Sequence, residues 1–91
     1  MIRTFRSKPL EQLFNGNPKS IEAKLRRKVG NILFAMSVAT EVEAMNLPGF
    51  NLHELKGNRA GDWSVTVSQN WRITFRFENG DAFDVDFEDY H

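Results

Sequence analysis

Hydrophobic positions change their period part-way along this chain. Ile21, Leu25, Val29, Ile32, Leu33 and Met36 recur at helical spacing. At about 100° per residue they cover one arc of roughly 120°, the stripe of a helix with a single dry face. Asn17-Pro18 precedes them and reads as a helix start, because Asn caps and Pro has no N–H to leave unbonded. Upstream, Pro9 admits a short helix through Phe14, with Leu10, Leu13 and Phe14 spaced i, i+3, i+4. Asn15-Gly16-Asn17 ends it. Residues 2–5 form a short candidate strand. Thr40-Glu41-Val42-Glu43 fits a capping box opening one more helical turn, which Leu47-Pro48-Gly49 stops.

From Trp63 onward the period is two. Trp63, Val65 and Val67 alternate with Ser64 and Thr66, and Trp71, Ile73, Phe75 and Phe77 with Arg72, Thr74 and Arg76. Phe83, Val85 and Phe87 alternate with Ala82, Asp84, Asp86 and Glu88. These are three strands, each with one dry face. Ser68-Gln69-Asn70 and Asn79-Gly80 are hairpin connections, the second a strong signal for a two-residue turn. The aromatic stripe of Trp63, Trp71, Phe75, Phe77, Phe83 and Phe87 is expected in the core. The prediction is an α+β domain: an N-terminal strand and two helices, then an antiparallel β-meander, in one unit over residues 1–91.

Composition narrows the chemistry. A chain of 91 residues buries roughly 60–65% of its unfolded surface, enough for one small core. The longest apolar run is residues 32–36, too short for a bilayer span. The opening MIRTFRSKPL lacks the apolar stretch of a signal peptide, so a cytoplasmic location is expected. No cysteine is present, which excludes disulfides, thiolate metal sites and a Cys nucleophile. Two histidines do not fill a typical zinc site without carboxylate help, and neither metal nor cofactor is expected. The net charge is zero but divided. Residues 1–40 hold eight bases and two acids, net +6, whereas residues 41–91 hold four bases and ten acids, net −6.

The two histidines stand outside the apolar pattern. His53 lies in Leu52-His53-Glu54-Leu55-Lys56-Gly57, and His91 follows Glu88-Asp89-Tyr90. If the His53 segment ran beside the final strand, both rings would approach one concave surface. Arg72 and Arg76 share the polar face of the middle strand, with Lys56 and Arg59 just upstream. This set suits acid–base cleavage of an RNA phosphodiester. Imidazoles move protons near neutral pH, cations stabilise the crowded phosphorane, and the 2′-hydroxyl of RNA supplies the nucleophile. The structural alternative pairs Arg72 and Arg76 with Asp84 and Asp86 across the sheet.

The segments LHELKGNRAGDWSVTVSQNWRITFRF and NGDAFDVDFEDYH resemble HigB-type toxins of bacterial type II toxin–antitoxin systems, within the RelE superfamily. The opening MIRTFRSK and ATEVEAMN agree as well. The resemblance implies a RelE-like microbial ribonuclease fold and a ribosome-dependent endoribonuclease that cuts mRNA in the decoding site. It implies catalytic roles for His53, Lys56, Arg72, Asp89, Tyr90 and His91, with Arg59 and Arg76 as RNA contacts. It implies as partners a HigA-like helix-turn-helix antitoxin, the ribosome and mRNA, and operator DNA reached through the antitoxin alone. The other reading of the same fold is a non-catalytic module that complexes the antitoxin and tunes repression. The six acids in residues 78–89 would oppose RNA if they shared the active face.

Overall fold

A computed structural model describes residues 1–89; Tyr90 and His91 lie outside the described residues. Helix α1 spans Lys8–Phe14, with the Ser7 hydroxyl accepting from the Leu10 N–H as its cap. Helix α2 spans Arg26–Val38. Strands β1 (His53–Glu54), β2 (Asp62–Thr66), β3 (Trp71–Glu78) and β4 (Asp81–Asp89) form one antiparallel sheet in the order β1-β2-β3-β4. Both helices lie on one face of it. Val29, Ile32, Leu33 and Met36 of α2 pack there with Val65, Ile73, Phe75 and Val85. Among the described residues, no helix is long and apolar enough to cross a membrane.

The expected architecture is present, with four departures. The long amphipathic stripe is not one helix. Asn17 caps only a 3-10 turn at Pro18–Ser20, the backbone then extends at Ile21, and a second 3-10 turn (Ala23–Leu25) leads into α2. Ile21 and Leu25 are buried all the same, because consecutive turns keep them on the side facing the sheet. The Thr40 capping box does not form; Glu41 precedes a 3-10 turn at Val42–Met45 with no side-chain cap. The N-terminal strand is reduced to two parallel bridges against β4, Ile2–Ala82 and Phe5–Val85.

The fourth departure is in β4. The β3–β4 register shifts by one residue between Thr74 and Arg76, and Asp84 there takes a left-handed φ of 55°. An inserted residue turns the next side chain to the other face. Ala82 and Val85 therefore both reach the core, while Phe83 leaves it and lies 4.7 Å under the Arg76 guanidinium. The hairpin itself turns on Asn79 (φ 52°) and Gly80 (φ 82°), the two positive φ values of a tight primed turn.

Candidate functional site

The sheet face away from the helices carries polar residues from each of the four strands. Its central row runs His53, Ser64, Thr74, Asp86, one residue from each strand in direct register. The next row is Thr66, Arg72, Glu88. His53 thus joins the sheet beside β2, at the edge opposite β4, and not beside the final strand. Three strand spacings separate β1 from β4, about 14 Å.

His53 is held by its own turn. Asn51, at a left-handed φ of 52°, brings its carbonyl oxygen 3.0 Å from His53 Nδ1. A carbonyl only accepts, so Nδ1 carries the proton and the lone pair of the neutral ring lies on Nε2. The ring is exposed, and Nε2 is then the atom able to take a proton from an incoming hydroxyl. By strand geometry His53 and Arg72 are about 12 Å apart between Cα atoms on the same face.

Lys56 and Arg59 lie in the loop joining β1 to β2. Leu55 N–H donates to the Asp62 carbonyl (2.8 Å) and Gly61 N–H to Glu54 Oε2 (3.1 Å), which close the loop at its base. Lys56 is exposed at its start. Arg59 folds back over the sheet. Its Nη1 and Nη2 donate to the two oxygens of Glu88 at 3.0 and 2.7 Å, and Asp62 Oδ2 is 3.7 Å from its Nε. The Glu88 hydrogen bond pushes the Arg59 pKa up, against the opposing effect of burial.

Glu88 is the residue that the sequence reading missed. Arg72 donates to Glu88 Oε1 from Nε and Nη2 at 3.2 and 3.1 Å, and the Thr74 hydroxyl donates to Oε2 at 3.0 Å. Hydrogen bonds from Arg59 first, then from Thr74 and Arg72, hold the Glu88 carboxyl down to about 2 although burial works the other way. Arg72 is therefore paired across the sheet, but with Glu88 and not with Asp84 or Asp86. Arg76 pairs with Glu78 and lies 3.7 Å from Asp84, its pKa raised chiefly by the Glu78 hydrogen bond. Asp86 and Glu88 do share the face of the arginines, so it is not a uniformly cationic surface.

Asp89 falls elsewhere. It is in register with Trp71, whose ring stacks on Phe87 at 4.5 Å on the helix-facing side. Of the expected site residues, the polar face gathers His53, Arg72 and Arg59, with Lys56 in the loop above and Arg76 two steps along β3 from Thr74. Asp89 sits at the sheet end on the other face, and the expectations for Tyr90 and His91 lie outside the described residues. Among the described residues, a pair of hollows of about 440 Å³ each lies away from this face. One is lined by Phe34, Val38 and Leu47 on α2 and beyond, the other by Lys24, Lys28 and Trp71.

Comparison with known proteins identifies the lineage. Residues 3–91 match the model of a family described as the RelE-like toxin of the type II toxin–antitoxin system HigB. The chain belongs to the HigB-like toxin family. It is 45% identical to Endoribonuclease HigB of Proteus vulgaris over 92 residues, covering 100% of both chains. The fold of this HigB-like toxin is also that of a mutant of YafQ from E. coli, with a TM-score of 0.60, 13% identity, and 98% and 91% of the two chains covered. A YoeB/ParE toxin from Agrobacterium tumefaciens aligns with a TM-score of 0.50 and 18% identity over 77% of this chain and 80% of that one.

Proposed function

We propose that this HigB-like toxin, an endoribonuclease, cuts mRNA held in the ribosomal decoding site and so stops translation and growth. The observation that carries the reading is its full-length 45% identity to a protein named an endoribonuclease. His53 acts through Nε2 as general base on the 2′-hydroxyl. The resulting oxygen attacks the adjacent phosphorus, the bond to the 5′-oxygen breaks, and that oxygen leaves protonated. The products are a cyclic phosphate and a 5′-hydroxyl end, with every proton supplied by side chains or solvent. Lys56 and Arg72 hold the phosphate as negative charge builds on it. Tyr90 and His91 complete the acid–base work and offer a ring for a base to stack on, whereas Asp89, in register with Trp71 on the other face, takes no direct part. Arg59, bound by two hydrogen bonds to Glu88 with Asp62 close by, serves the framework of the site, and Arg76 is an outlying RNA contact. The cytoplasm is the site of action. A HigA-like helix-turn-helix antitoxin neutralises the toxin and carries it to operator DNA.

Inducible expression with mapping of transcript 5′ ends tests this. Wild type should arrest growth and generate new ends within translated codons. His53→Ala and His91→Ala should each lower cleavage by about 10²–10⁴-fold, the usual weight of a general acid or base, while still co-purifying with the antitoxin. Toxicity that survives loss of both histidines would overturn the catalytic assignment, and a wild type that neither arrests growth nor cuts transcripts would leave the binding-module reading standing.

A further inference from the structure

Glu88 has no task in the acid–base scheme, yet it is the most heavily bonded side chain of the polar face. Five hydrogen bonds reach its two oxygens, from Arg59, Arg72 and Thr74. Thr74 is buried at 2% exposure in the middle of β3, so its hydroxyl anchors the carboxylate to a buried position of the sheet. The carboxylate in turn takes both Nε and Nη2 of Arg72, which sets the plane of that guanidinium. On its other side it binds Arg59 and so ties down the loop that carries Lys56.

The geometry points to Glu88 as a positioning residue for RNA cleavage, acting through Arg72: it holds the guanidinium where the scissile phosphate must sit. This rests on the endoribonuclease reading above. An arginine side chain has many rotamers, and a cation stabilises a transition state efficiently only when it is already in place. The sign of the effect separates this role from plain electrostatics. A carboxylate that merely repelled RNA would, once neutralised, leave a faster or tighter-binding toxin. A carboxylate that positions Arg72 leaves a slower one.

The test is single-turnover cleavage of mRNA on programmed ribosomes with toxin in excess, comparing wild type, Glu88→Gln, Arg72→Ala and the double variant. Glu88→Gln should lower the saturated rate about 10- to 100-fold, with the half-saturating toxin concentration changed by less than about threefold. In the Arg72→Ala background the same change should cost less than about threefold, because the group it positions is gone. Thr74→Val, which keeps the carboxylate but removes its hydrogen bond to β3, should lower the rate in the same direction and carries the test if Glu88→Gln does not fold. A Glu88→Gln toxin as fast as wild type, or an equal loss with and without Arg72, overturns the positioning role while wild-type cleavage stands. Intact mRNA with wild-type toxin would instead overturn the nuclease reading, and this inference with it.

Discussion

Neutralising Glu88 is expected to destabilise the fold by about 2 kcal/mol at neutral pH, and this loss should fade in acid. The Arg59 hydrogen bonds, followed by those of Thr74 and Arg72, hold the folded carboxyl at about 2, against an ordinary 4.5. A carboxyl depressed by folding favours the native state in its ionised form. Its contribution is complete above the unfolded value and disappears as pH falls through the folded one. At about 1.4 kcal/mol per pH unit the gap sets a ceiling of about 3 kcal/mol. Glu88 retains 20% and Arg59 34% of side-chain exposure, so water screens the pair and about 2 kcal/mol is expected. Glu88→Gln keeps the size of the side chain and removes its charge. It should lower the melting temperature by about 8–16 °C for a domain this small. Urea unfolding followed by Trp63 and Trp71 fluorescence, run on both proteins from pH 7 to pH 2.5, measures the difference directly. That difference should be flat down to about pH 5 and about half gone near pH 3. Equal stability at pH 7, or a gap that persists undiminished into acid, would refute the account of this network.

The remaining predictions concern the fold. Gly80→Ala puts a Cβ 3.2 Å from the Thr40 carbonyl oxygen at a φ of 82°, and a loss of about 1–3 kcal/mol should appear as a lower melting temperature. Phe75→Ala empties a side chain only 1% exposed and should cost about 3–5 kcal/mol in urea unfolding. Phe34→Ala, at 67% exposure, should stay within about 0.5 kcal/mol; a loss at Phe34 comparable to that at Phe75 would contradict the placement of that ring outside the core. Ser7→Ala removes the cap on Leu10 N–H and should cost about 1 kcal/mol by the same measurement.

Short-range order was legible in the residues themselves. Alternation in 71–77 marked β3 and its two faces, Asn79-Gly80 marked the turn, and Pro9 admitted α1. Each of these needs only a few neighbours along the chain, and the side-chain period of a strand or helix is a local property. The resemblance that pointed to the family rested on contiguous motifs of the same kind. The break after Ser20 was not visible, because two 3-10 turns keep Ile21 and Leu25 on the side a helix would have placed them.

The centre of the site depended on long-range register. Counted outward from Asn79-Gly80, an unbroken hairpin would set Arg72 opposite Phe87 and Thr74 opposite Val85, a polar residue against an apolar one each time. That conflict is itself a signal that one residue is inserted between them, since a one-residue slip exchanges the faces of a strand. The bulge at Asp84 resolves it, aligns Arg72 with Glu88, and sends Phe83 out of the core. No local pattern, however, distinguishes Glu88 from the other acids of β4, or sends Arg59 from a loop 29 residues away in sequence onto its carboxylate. Charge–charge partners are chosen by which strands pair and where a loop folds back, and those depend on burying the opposite, apolar face of the sheet. The chain's local chemistry thus determined its elements and its candidate cations; the packing of the helices against the sheet decided which of those cations meet, and around which carboxylate.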